Sequence, residues 1–154
     1  MKKRRIAAML MAGVMALSVL AGCSGGDKPQ PSGSTEGGDT IKIALLGNTT
    51  GDYAQYGIPV INGAKLYIDQ LNAAGGINGK KVEVLEYDDK GDGLESVNAF
   101  NLAKEKGVTA VIGSVLTGAT MTLADATYEI GMPQITASAT AAGVTVMDDG
   151  TVRS

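Results

Sequence analysis

TAVIGSVLTGATMTLADATYEIGMPQITASATA, residues 109–141, contains two short apolar runs that each end in small and hydroxyl residues. Val111-Ile112 leads into Gly113-Ser114-Val115-Leu116-Thr117, and Pro133-Gln134-Ile135 leads into Thr136-Ala137-Ser138-Ala139-Thr140. Between them Gly118 to Ile130 has helix length, so the unit reads strand, helix, strand. In an open parallel sheet such a connection brings the carboxyl ends of both strands to one edge, where ligands of doubly wound folds sit. The two hydroxyl clusters are therefore expected to face one crevice.

Upstream, Ile41, Ile43 and Leu45 alternate with Lys42 and Ala44 ahead of Leu46-Gly47, the pattern of a short strand ending in Asn48-Thr49-Thr50-Gly51. From about Tyr53 to Asn72, Ile61, Ala64, Ile68 and Leu71 recur at three- and four-residue spacing, with Pro59 near the start and Gly75-Gly76 past the end. This predicts a helix with one face on the sheet. Asn78-Gly79 makes a turn, and Val82, Val84 and Leu85 form a second strand ending in Asp88-Asp89. Glu95 to Glu105 reads as a second helix burying Val97, Phe100 and Ala103, closed by Gly107. Val108–Ile112, Gly118–Ile130 and Pro133–Thr136 then give strand, helix and strand. The order βαβαβαβ is that of an α/β domain with a doubly wound parallel sheet and flanking helices. Beyond Ala141, Asp148-Asp149-Gly150 reads as a turn and Thr151-Val152-Arg153 as the start of a fifth strand cut off at Ser154. The domain 41–154 is expected to be incomplete, and the chain is expected to be a fragment of a longer protein.

Composition narrows the chemistry. The 154 residues, 44% hydrophobic, suffice for one globular domain and not for two of ordinary size. With no His and a single Cys, the chain has no His general base, no His or multi-Cys zinc site and no internal disulfide. No cofactor and no metal are expected.

Residues 1–22 begin Lys2-Lys3-Arg4-Arg5, run apolar from Ile6 to Leu20 and end Ala21-Gly22 before Cys23, the arrangement of a secretory signal. Leu20-Ala21-Gly22-Cys23 resembles a bacterial lipobox, in which the cysteine is acylated and becomes the first mature residue. An ordinary signal peptide or an uncleaved anchor are the alternatives. Acylation of Cys23 implies anchoring to the membrane without spanning it, each buried methylene contributing ~0.8 kcal/mol. Ser24 to Thr40 is rich in Gly, Ser and Pro and almost free of apolar side chains, so 23–40 reads as a flexible linker with a reach on the order of 20–25 Å. Loss of residues 1–22 removes four of the 13 basic residues and none of the 16 acidic ones, taking the formal charge from −3 to −7. Such an acidic chain, without a basic stripe, is mismatched to a phosphate backbone, and nucleic acid is not an expected partner.

Gly47-Asn48-Thr49-Thr50-Gly51 lacks the G-x-G-x-x-G spacing of a dinucleotide loop. Ala74 to Lys81 departs from a Walker A loop at both ends and precedes a strand rather than a helix. Asp88, Asp89 and Asp92 form an acidic cluster without EF-hand spacing, expected to be a solvated, turn-forming loop. No Ser-x-x-Lys occurs, so Ser-based hydrolysis lacks a base, and the chain is not expected to be an enzyme.

Several segments in order resemble the leucine/isoleucine/valine-binding family of periplasmic, type I, solute-binding proteins. They are Ala54-Gln55-Tyr56-Gly57, Leu71 through Gly79, Tyr87-Asp88-Asp89, Val111 through Ser114 and Ile135 through Thr140. The resemblance runs from Ile41 to about Thr145 and covers roughly the first third of the family's length. It implies the N-terminal lobe of a two-lobed clamp that closes on an amino acid, of branched-chain type, and delivers it to the permease subunits of an ABC importer. It also implies an extracytoplasmic, monomeric protein, commonly a lipoprotein in Gram-positive bacteria, which agrees with Cys23. A ligand-sensing receptor of the same fold is the alternative.

Carried over by position, the resemblance gives Thr117 the role of binding the ligand carboxylate through its hydroxyl. Ser138, Ala139 and Thr140 fall on the loop that grips carboxylate and ammonium, and Tyr56 falls where an aromatic ring packs on the ligand. Neutral N–H and hydroxyl donors at a strand-to-helix edge suit this, because they desolvate a carboxylate without burying an unpaired charge. The alternative for Thr117 is a plain N-cap of the third helix. Asp52 and Ala137 stand where relatives frequently have proline.

Overall fold

A computed structural model describes residues 40–153. The signal, the Cys23 acylation site and all of the linker except Thr40 lie outside the described residues.

The strand β1 (Ile41–Gly47) organises the sheet. Its side chains alternate between two faces, and both faces are covered. Ala44 and Leu46 are fully buried with Phe100, Ala103, Val111 and Leu123. On the opposite face Gly47 lies so close to α1 that a Cβ built on it would fall 3.2 Å from Ile61 Cδ1 and 3.0 Å from Val115 Cγ2. A parallel strand covered on both sides must be apolar almost throughout, which is why Ala44-Leu45-Leu46 breaks the simple alternation. Each buried leucine contributes about 1.5–3 kcal/mol relative to exposure.

Helix α1 (Ala54–Ala73) buries Gly57, Ile61 and Ile68. At its far end the Asn72 side chain donates to Val82 O and accepts from Val82 N, both at 2.8 Å, so one amide clamps α1 to the start of β2 (Val82–Asp88). Helix α2 (Gly93–Glu105) contributes Ala99, Phe100 and Ala103, and α3 (Thr117–Glu129) contributes Leu123, to the cluster on the other face. The remaining strands are β3 (Ala110–Ile112) and β4 (Gln134–Ile135). The order is β2-β1-β3-β4, all parallel, with Gly47 beside Asp88, Leu45 beside Ile112 and Ile112 beside Ile135. The chain steps outward from β1 to β2, then returns past β1 to β3. With right-handed crossovers this reversal places α1 on one face and α2 and α3 on the other, and it leaves a crevice where the ends of β1 and β3 diverge.

The expected doubly wound α/β fold is therefore observed, with differences that have local causes. Helix α2 starts at Gly93 rather than Glu95, because Asp92 caps it, accepting from Leu94 N at 2.8 Å and Glu95 N at 3.0 Å. The third strand is shorter than Val108–Ile112, although Thr109 N still donates to Lys42 O. The expected fifth strand at Thr151-Val152-Arg153 does not join the parallel sheet. Val152 pairs antiparallel with Val146, because the Asp148-Asp149-Gly150 turn, with Gly150 at φ +84°, reverses the chain. Arg153 then ties this return to the Gly143 carbonyl and the Asp125 carboxylate.

Candidate functional site

The loops after all four strands emerge at one edge of the sheet. After β3, Gly113 passes so close to β1 that a Cβ would fall 2.0 Å from Leu46 O, and its φ of +128° is open only to glycine. This sets the following Ser114, Val115 and Leu116 directly above the sheet end. The loop after β4 is hydrogen-bonded onto it. The Thr136 hydroxyl donates to Ser114 O at 2.8 Å, the Ser138 hydroxyl donates to Val115 O at 2.7 Å, and Gln134 Nε2 donates to Gly113 O at 2.7 Å. Thr140 N donates to Thr117 Oγ1 at 3.3 Å.

The expected meeting of the two hydroxyl clusters is thus observed, and it brings Thr117 and Thr140 together. Thr117 is half-buried and Thr140 exposed. Thr117 does not cap α3: the cap position is Leu116, and among the described residues no side chain caps the helix. The amino end of α3 therefore keeps donors directed toward the edge where Thr140 sits. Ser138 differs from Thr117, since its hydroxyl is engaged by Val115 O. The Ala139 N–H donates at 3.3 Å to Thr136 Oγ1 within its own loop. Tyr56 stands at the start of α1 on the same edge of the sheet, 56% exposed, with its ring centroid 6.5 Å from that of Tyr53. The sequence reading singled out only Tyr56. The signal for Tyr53 is the spacing of three, which puts both rings on one side of the helix entry.

The acidic loop after β2 makes the expected turn at Lys90-Gly91, with Asp92 exposed, but one of its carboxylates is not solvated. Asp89 is fully buried. Its carboxylate accepts from Gly91 N at 2.9 Å, from the Ser96 hydroxyl at 3.2 Å and from the Ser114 hydroxyl. Burial is tolerated because neutral donors surround the carboxylate. Asp88 accepts from Thr49 N at 2.9 Å, Lys90 N at 3.0 Å and Thr50 N and hydroxyl. Partial burial pushes the Asp88 carboxyl up, but these hydrogen bonds outweigh it and hold the group below the ordinary carboxylate range. Among the described residues no group of three or more His, Cys, Asp or Glu is placed to hold a metal ion.

A separate groove of about 550 Å³ lies between α3, β4 and the 142–153 return, with Tyr128, Met132 and Ile135 in its wall. It includes none of Tyr56, Thr117, Ser138, Ala139 or Thr140. The strand-end loops, not this groove, carry the converging polar donors, so we place the candidate site at the loops.

Comparison with known proteins bears on the same region. The chain is 43% identical over 107 residues to the leucine-, isoleucine-, valine-, threonine- and alanine-binding protein of Pseudomonas aeruginosa, a match covering 70% of this chain and 29% of the relative. It is 35% identical over 107 residues to the Leu/Ile/Val-binding protein of Escherichia coli K12, with the same coverage. The chain thus spans about three-tenths of the length of these relatives. Among solved structures, the branched-chain amino acid transporter substrate-binding protein LivJ of Streptococcus pneumoniae, in complex with isoleucine, superposes with a TM-score of 0.66 at 39% identity, covering 70% of this chain and 31% of that one. An ABC transporter solute-binding protein of Rhodopseudomonas palustris, in complex with 3,4-dihydroxybenzoic acid, gives 0.62 at 27% identity, covering 69% and 29%. These are names of binding, not of reactions. The family described as periplasmic binding protein matches residues 40–152, from the first residue of β1's approach to the return strand, and the chain belongs to that family of solute-binding proteins.

Proposed function

We propose that this chain is the amino-terminal lobe of an extracytoplasmic solute-binding protein that captures an amino acid, of the branched-chain type, for an ABC importer. The observation that carries the reading is the convergence of Thr117 and Thr140, 3.3 Å apart through the Thr140 N–H, beside an α3 amino end that no side chain caps. Isoleucine and 3,4-dihydroxybenzoic acid, bound by the two structural neighbours, have a carboxylate in common. Neutral donors at a helix start suit that group, because they satisfy its lone pairs without burying a cation in the lobe.

In this reading Thr117 and Thr140 hold the carboxylate and Tyr56 covers the apolar side chain of the ligand. Ala139 offers backbone contacts, while Ser138 acts first as a strut under the loop. Residues 1–22 are the lipoprotein signal, Cys23 carries the lipid, and 23–40 tether the 41–154 lobe to the membrane. Titration of L-leucine and L-isoleucine into the complete gene product tests the ligand. Saturable binding supports the reading, and heat from neither, with binding of an aromatic acid instead, replaces the amino acid by another carboxylate. Metabolic labelling with a fatty-acid analogue that disappears in Cys23→Ala tests the anchor.

A further inference from the structure

The sheet order separates β2 from β3 by the whole width of β1, about 10 Å for two strand spacings. Their ends are nevertheless joined directly. Asp89, the residue after β2, donates from its N–H to Gly47 O at 3.2 Å and accepts from the Ser114 hydroxyl, so it bridges over the end of β1 to the loop after β3. Ser114 is itself fully buried, and its carbonyl accepts from the Thr136 hydroxyl at 2.8 Å. The Thr136 oxygen in turn accepts from Ala139 N at 3.3 Å. Hydrogen bonds on either side of the Ser114 backbone, one at its hydroxyl and one at its carbonyl, therefore connect a carboxylate buried under the edge to the loop that presents Thr140. Among the described residues no salt bridge engages Asp89.

We propose that Asp89 is the positioning residue of the crevice: acting through Ser114 and Thr136, its carboxylate sets where the Ala139 N–H points and how the loop carrying Thr140 is held, and so tunes affinity for the ligand carboxylate. The proposal rests on the crevice being the ligand site. Asp89 touches no ligand in this scheme. A charged acceptor is suited to the task because hydrogen bonds to an ionised group are stronger than neutral ones and hold their geometry better.

The same carboxylate supplies its own control. Ser96 shares the Oδ2 oxygen at 3.2 Å, but it lies on α2 and leads to no crevice loop, and its hydroxyl has a second acceptor in Asp92 O at 2.9 Å. A purely structural carboxylate would be weakened alike through either serine. Asp89→Asn keeps the shape and the Gly91 contact while reversing the polarity toward Ser114.

The test uses the complete gene product with Asp89→Asn, Ser114→Ala, Ser96→Ala and the Asp89→Asn/Ser114→Ala double variant. Isoleucine affinity is read by calorimetry, and the Ala139 and Thr140 amide resonances by NMR. Asp89→Asn and Ser114→Ala are expected to weaken isoleucine binding about tenfold each, the double variant no further than either, and Ser96→Ala to leave it within about twofold. Equal losses from Ser96→Ala and Ser114→Ala, or additive losses in the double variant, overturn the proposal. If the wild-type product binds no amino acid, the ligand reading falls, and the resonances decide the positioning role alone. Shifts at Ala139 and Thr140 in Asp89→Asn and Ser114→Ala but not in Ser96→Ala uphold it, and unmoved resonances, or the same shifts in Ser96→Ala, overturn it. Should Asp89→Asn not fold, Ser114→Ala against Ser96→Ala carries the same comparison.

Discussion

Two polar loops emerge at the same edge of the sheet and differ in what their groups are doing. After β2, Asp88 and Asp89 have their oxygens engaged by backbone N–H and serine or threonine hydroxyl groups of their own loop, of α2 and of the loops after β1 and β3. After β4, Thr140 is exposed and its N–H makes a single long contact to Thr117, while α3 begins without a side-chain cap. The first loop has its acceptors filled by the protein, and the second keeps weakly engaged donors at the edge. Polar residues at a sheet edge therefore do not by themselves mark a site; what marks it is the donors that folding leaves without strong partners.

Gly113→Ala should have the largest effect, since it damages both loops at once. A Cβ would lie 2.0 Å from Leu46 O at a φ of +128°, and the loss of stability should exceed about 3 kcal/mol in urea unfolding. Asp89→Ala comes next, at about 3 kcal/mol, because it leaves the buried Ser114 hydroxyl and the Gly91 N–H without an acceptor. A loss under about 0.5 kcal/mol would mean that the closed loop is no more structural than the open one.

Asp88 gives a pH signature. Its folded carboxyl lies below the ordinary 3.8, so its contribution is fully present above that value and is lost as pH falls through the lower folded value. Thermal melts in that acid range should show a decline that Asp88→Asn flattens. The smallest stability effect belongs to the residue that faces the open loop from the start of α3: Thr117→Val should change unfolding by no more than about 0.5 kcal/mol while weakening isoleucine binding about tenfold. If Thr117→Val instead costs as much as Asp89→Ala, the contrast between the loops fails.

Much of this could be read from residue order. The period of three and four through Ile61, Ala64, Ile68 and Leu71 places α1, and the runs ending in Asp88, Ile112 and Ile135 place three of the strands. The meeting of the Thr117 and Thr140 clusters follows from two parallel strands joined by one helix. Asp89 was misread as solvated because an Asp-Asp-Lys-Gly stretch has the composition of a surface turn, whatever lies above it. Its burial depends on Ser96 and Ser114, which are 7 and 25 residues away. The pairing of Val152 with Val146 was not legible for a similar reason, since a short run such as Thr151-Val152 carries no sign of its partner or of the direction in which it pairs.

By itself the sequence determined the element order, the parallel α/β class and the edge at which the loops gather, because these follow from local periodicity and from the hand of each crossover. It also determined, through similarity, the solute-binding family. Only the tertiary structure decided that β2 and β3 flank β1, that Asp89 lies beneath the crevice bonded to Ser114, and that Ser138 is a strut where Thr117 and Thr140 remain open. Those outcomes depend on which donor meets which acceptor across distant segments. Hydrogen-bond partners of that kind are set by packing in three dimensions and leave no period in the chain.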